Sequence, residues 1–146
     1  QPWTVILVTD TEFKNDLAKL TRGPAGTFNR FAEQAPVIAA LVAEPSNVTA
    51  QMGNMFKKIQ FNLVDIGIAA EHFCLQARDL GLGTCMIGWF DKKKASRLLQ
   101  IPAGKTIPLL ITVGYPAKEW GKPRARKELE SILRWNNYNT ADQPTL

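Results

Sequence analysis

The chain has 146 residues, 45% of them hydrophobic, enough for one sizeable buried core but hardly two, so a single globular domain over residues 1–146 is expected. No apolar run reaches the roughly 18–20 residues that span a bilayer, and the start shows no signal-peptide pattern, since Gln1-Pro2-Trp3 leads directly into a strand-like segment. The net charge of +5 favours anionic partners in general and cannot choose among phosphate ligands, nucleic acid and acidic lipid. Two cysteines, Cys74 and Cys85, are too few for a disulfide framework and read as buried small hydrophobes in a reducing cytoplasm.

Residues 4–9 form a continuous β-branched and aliphatic run, expected as a strand buried on both faces. Asp10 can cap a short helix to Leu20, with Phe13, Leu17 and Leu20 at helical spacing. Gly23, Pro24 and Gly26 mark a loop over 21–27, and Pro36 opens a second interior strand that ends at Ala43. A long helix over 55–80 is the strongest periodic signal. Ile59, Leu63, Ile66, Ala70, Phe73, Ala77 and Leu80 make one stripe, and Phe61, Val64, Ile68 and Leu75 lie on another side. Two apolar sides imply a helix that is central or shared with a second subunit. Gly81 supplies its stop. A short strand over 84–87, a helix capped by Asp91 and running to Leu99, a turn at Pro102 and Gly104, and a third interior strand over 107–113 follow. The remainder is polar and basic, with a short helical pattern around Leu129, Ile132 and Leu133.

Several chemistries are excluded. There is no Cys/His metal spacing, and His72 is the only histidine, best read as a partly exposed helix residue. A Ser-His-Asp set would need it. No P-loop is present, and Gly81-Leu82-Gly83 follows a helix, the wrong context for a dinucleotide fingerprint. An enzyme with this inventory needs a bound cofactor for the hard chemistry.

Four segments, in order, carry a resemblance. They are Gln1-Pro2-Trp3 with the strand after it; Glu33-Gln34-Ala35-Pro36; 65–70 with Leu80-Gly81-Leu82-Gly83-Thr84-Cys85-Met86-Ile87-Gly88-Trp89-Phe90; and Val113-Gly114-Tyr115-Pro116 with Lys122-Pro123-Arg124-Ala125-Arg126-Lys127. Together they resemble the FMN-dependent nitroreductase family. The family's amino-terminal Arg-Arg-Ser segment has no counterpart, and residues of the natural protein are expected ahead of Gln1. The resemblance implies an α+β fold with a central, mostly antiparallel sheet flanked by helices and a long central helix in the core of a homodimer. It implies FMN as cofactor, NADH or NADPH as co-substrate, and nitroaromatics, quinones or related small molecules as acceptors. No catalytic side chain and no metal are implied.

By position in the family pattern, Gln1, Pro2 and Trp3 lie beside the flavin, and the backbone of Met86, Ile87 and Gly88 faces its ring. For Trp3 the alternative is a core aromatic. Arg126 and, second, Arg124 are candidates for the FMN phosphate, since a guanidinium offers a planar fork of donors. The alternative for Arg124 is a solvated basic tail. Asn29 and Arg30 fall where the family often places a polar residue near the ring. Lys92-Lys93-Lys94 reads as a solvated helix turn. Two rivals remain: a basic nucleic-acid-binding protein using 122–127, whose only nearby aromatic is Trp120, and a flavin-binding relative without redox turnover.

Overall fold

The computed structural model describes residues 1–45, 60–117 and 125–139. Contacts divide the chain into two units, Gln1–Pro116 and Ala117–Leu146. The first unit carries strands β1 (Trp3–Val8), β2 (Val37–Ala43), β3 (Gly83–Ile87) and β4 (Thr106–Gly114), with helices α1 (Thr11–Lys19), α2 (Phe61–Asp79) and α3 (Lys92–Leu98) and a 3-10 turn at Arg30–Glu33. The strands form one antiparallel sheet in the order β1-β2-β4-β3.

Alternation along β2 divides the core. Ile38, Ala40 and Val42 face a cluster with Leu17 and Ala18 of α1 and Ala95 of α3. Ala39, Leu41 and Ala43 face Ile66 and Ala70 of α2. The sheet is therefore packed on both sides, α1 and α3 on one and α2 on the other, which is why β2 reads as an unbroken apolar run. The register of β2 on β4 shifts between Leu41 and Ala43, opposite Pro108. Proline has no N–H to give a ladder, and a bulge is where a central strand tolerates it.

Local signals placed the helix ends. The Asp10 carboxylate accepts from the Phe13 N–H at 2.8 Å. At the end of α2, Gly81 has φ +76°. There the Leu82 N–H donates to the Ala77 carbonyl at 2.8 Å and the Gly81 N–H to that of Arg78 at 3.0 Å, a Schellman closure.

Three expectations need correction. β1 is an edge strand, not one buried on both faces: Val8 is buried, but Leu7 is 57% exposed and Val5 also open, because α2 covers only the Trp3 end of that side. Helix α2 begins at Phe61, and Gln60 is not helical; Met55 and Ile59 lie outside the described residues. Of the first stripe, Ile66, Ala70 and Ala77 are buried while Leu63 and Leu80 are exposed. Phe61, Val64, Ile68 and Leu75 are all exposed as well. Cys85 is exposed and Cys74 half-buried, the former because β3 is the other sheet edge.

The second unit holds a single-turn helix, α4 (Leu129–Ile132), with Leu129, Ile132 and Tyr138 exposed. Among the described residues no helix is long and apolar enough to cross a membrane.

Two interactions fix the sheet ends. A Cβ added to Gly114 would lie 2.6 Å from Cδ of Pro36, whose ring cannot rotate away. Gly114→Ala should therefore destabilise the fold by about 1–3 kcal/mol through overpacking, read as a lower denaturant midpoint. At the opposite end, Glu44 accepts from Lys105 at 2.6 Å and from the Thr4 hydroxyl at 2.7 Å, joining the ends of β1, β2 and β4. Lys105 first, and Thr4 second, hold its carboxyl below the usual glutamate range. A depressed folded value means stabilisation that is complete above the unfolded pKa, about 4.3, and lost as pH falls through the folded one. The Tm advantage of wild type over Glu44→Gln should be constant from pH 6 to 7 and shrink below about pH 4. A gap that does not change with pH would contradict this.

Candidate cofactor site

β3 ends at Ile87, and Met86, Ile87 and Gly88 lead out of the sheet into the connection to α3. Ile87 is 3% exposed, its side chain locked into the α1/α3 core. Met86 points to the other side and is exposed. Nothing lies within 4 Å of a Cβ built on Gly88, so the strand end is open to a close approach. A cavity of about 380 Å3 is lined there by Gly88, Trp89 and Phe90. Being an edge, β3 has a side that no other strand of the described residues pairs with.

The wall beyond Gly88 is made by residues far apart in sequence. Trp89 stacks on Phe28 with centroids 6.1 Å apart and planes 25° from parallel. Phe28 is delivered by the 21–29 loop, in which Gly23 has φ +67° and its α-carbon passes close under the pair; an added Cβ would lie 3.0 Å from Phe28 Cδ2. The Asn29 amide donates to the Thr21 carbonyl at 3.1 Å, the Arg22 guanidinium pairs with Glu33, and buried Lys14 donates to the Glu33 carbonyl at 2.6 Å. The Asp91 N–H then donates to the Leu20 carbonyl at 3.0 Å, tying this loop to the β3–α3 connection. The Asp91 carboxylate caps α3 through the Lys94 N–H at 2.9 Å, and that backbone bond holds its pKa below the usual range.

Gln1, Pro2 and Trp3 stand elsewhere. Trp3 is half-buried against the α2 core cluster, and the Pro2 carbonyl accepts from the Glu44 N–H at 2.9 Å, extending the ladder. Following the register, Ile87 pairs with Leu110, Leu110 with Ala40 and Ala40 with Ile6. The start of β1 and the end of β3 thus lie at the same end of the sheet but on opposite edges, with three strand spacings, about 14 Å, between Ile87 and Ile6 alone. One chain does not bring them together. Arg126 belongs to the second unit and is exposed there, and Arg124 lies outside the described residues. Asn29 is spent on the loop, and Arg30 is exposed. His72 is exposed on α2, and Lys92, Lys93 and Lys94 are exposed on α3.

Sequence reasoning missed Phe28, Trp89 and the Leu20–Asp91 link. The usable signal was the Gly23/Gly26 pair ahead of Phe28, both glycines at positive φ. Among the described residues no cluster of His, Cys, Asp and Glu could hold a metal ion.

Residues 1–115 match the Nitroreductase family. A curated NADH dehydrogenase of Thermus thermophilus is 26% identical, covering 92% of this chain and 76% of its own length. An FMN reductase (NADPH) of Bacillus subtilis is 28% identical over 95% of this chain and 58% of its own. A solved nitroreductase from B. subtilis superposes with a TM-score of 0.73 at 25% identity, covering 94% of this chain and 58% of that one. The NADPH:FMN oxidoreductase of Vibrio harveyi, solved with NAD+, gives 0.72 at 23% identity over 94% and 60%. The chain thus spans between 58% and 76% of these relatives' lengths. With the family matched from Gln1 through Tyr115 and the antiparallel α+β fold shared with solved nitroreductases, this chain belongs to the nitroreductase family.

Proposed function

We propose that the protein is an FMN-dependent oxidoreductase that passes hydride from NADH or NADPH to nitroaromatic, quinone or related small acceptors, working as a homodimer in a reducing cytoplasm. The observation that carries the reading is the open strand end at Gly88, beside a cavity and inside a chain of this family. The names of the FMN reductase and NADH dehydrogenase relatives support the cofactor and co-substrate. When bound, FMN supplies the ring that exchanges hydride between donor and acceptor.

The chain's own part is positioning. The backbone of Met86, Ile87 and Gly88 would hold the ring edge, with Ile87 anchoring that backbone from the core side. Gly88 leaves room for ring stacking that any side chain would fill. N–H donors near the pyrimidine edge of the ring would favour its anionic reduced form electrostatically. No side chain needs to move a proton, and none is assigned to that work.

Two features support the homodimer. Val5, Leu7 and Met86 by strand alternation, and Phe61, Val64, Ile68 and Leu75 on α2, leave apolar surface open on the α2 side of the sheet. A symmetric partner would cover it. The same partner could bring its Gln1-Pro2-Trp3 to the first copy's Gly88, uniting segments that one chain holds on opposite edges. Arg126, with Arg124 second, is proposed to hold the phosphate.

Two outcomes are expected. Because a Cβ at Gly88 meets nothing, Gly88→Val should leave the melting temperature nearly unchanged and weaken FMN binding at least tenfold; unchanged FMN affinity would displace the ring from this strand end. Arg126→Ala should weaken FMN about tenfold to a hundredfold, since a charge-assisted hydrogen bond is worth roughly 1.5–3 kcal/mol. Riboflavin, lacking the phosphate, should bind this variant and wild type alike. An equal loss for both flavins would give Arg126 a structural role instead.

A further inference from the structure

A second cavity, of about 340 Å3, shares Trp89 and Phe90 with the first but is not lined by Gly88. Leu20, Pro24, Trp89 and Phe90 supply its apolar wall, and Lys19 and Lys94 reach it from two helices. Trp89 is 69% exposed and Phe28 58%, a large area of aromatic surface to leave in water. It is nevertheless held in place, by the stack, by Gly23 beneath it and by the Leu20–Asp91 bond. Fixed aromatic surface is what a flat ligand needs, because neither partner loses much rotational freedom on stacking.

The charges around the groove are unequal. Lys19 pairs with Asp16 at 2.8 Å and Lys94 with Asp91 at 3.3 Å, both exposed i,i+3 pairs. Such pairs contribute little and re-form readily around a competing anion. Of the two carboxylates only Asp91 lines this cavity, so its lining carries two cations against one anion; Asp16 lines a neighbouring hollow together with Arg97.

We infer that this groove is a subsite for a flat aromatic group bearing an anionic substituent, with Trp89 as the stacking platform and Lys19 and Lys94 as the anion contacts. Two sources share that chemistry: the adenylate half of the nicotinamide dinucleotide, and an acceptor that is an aromatic acid. The groove's place beside the redox centre rests on the flavin reading above, whereas its stacking and charge selectivity do not.

The test is calorimetric titration of the full-length protein with AMP, 4-nitrobenzoate and neutral nitrobenzene, alongside the flavin absorbance of the same samples. Trp89→Ala should weaken binding of the aromatic anion about tenfold, in line with the worth of a stacked ring, and Trp89→Phe should restore most of it. Lys19→Gln with Lys94→Gln should weaken the anion about tenfold and leave nitrobenzene unchanged, and added salt should act in the same direction. AMP binding without nitrobenzoate identifies the dinucleotide as the source, and the reverse identifies the acceptor. If neither anion binds, if neither is affected by Trp89→Ala, or if the lysine pair weakens nitrobenzene equally, the subsite is overturned. A colourless protein that still shows these selectivities would sink the flavin reading and leave the groove standing.

Discussion

The pairing of β2 with β4 is the constraint on which the rest depends. These two strands are the only ones with neighbours on both edges in the described sheet, and their side chains fill both core clusters. Once they are registered through Val37–Val113, β1 and β3 have nowhere to go but the outer edges. That assignment puts the two segments expected beside the flavin at one end of the sheet with two strands between them. Among the described residues it also leaves β3 with an unpaired side and an open strand end, the place proposed above for the flavin ring. The apolar surface left open on β1, β3 and α2 is the other consequence of the same order.

Around this frame, polar contacts are few and placed at joints. Glu44 with Lys105 and Thr4 gathers three strand ends, and Lys14 and Arg22 both act on Glu33 to shape the loop that carries Phe28. The Asp91 backbone then locks that loop to the end of β3. The Leu20–Asp91 link borders the opening beside Trp89, so that wall is held more firmly than its exposure suggests. The Glu44–Lys105 and Arg22–Glu33 pairs are half-buried, and part of their value is the geometry they impose on the strand ends and the loop.

What was legible in the sequence was local. Asp10 and Asp91 as caps, Gly81 as a helix stop and Pro36 as a strand opener act within a few residues, and the structure uses each as expected. The apolar run of β1 was legible as a strand, but a continuous run does not distinguish cover within one chain from surface left for another, so Val5 and Leu7 were misplaced inward. For Cys85, composition gave the residue type and not the strand's position at an edge. The Phe28–Trp89 stack, the Gly114–Pro36 approach and the distance between Trp3 and Gly88 depend on strand order, which single-chain periodicity does not carry. The candidate site was therefore readable as a set of segments, through their resemblance, and not as a geometry.

In the proposed dimer the flavin site is completed between two copies of the chain. Light scattering coupled to size exclusion, with absorbance read at the flavin band, tests it directly on the full-length protein across a dilution series. The expected result is a dimer carrying two FMN per pair of chains, with flavin lost in step as dilution yields monomer. A folded monomer that keeps its FMN, or a stable dimer that cannot bind any, would contradict it.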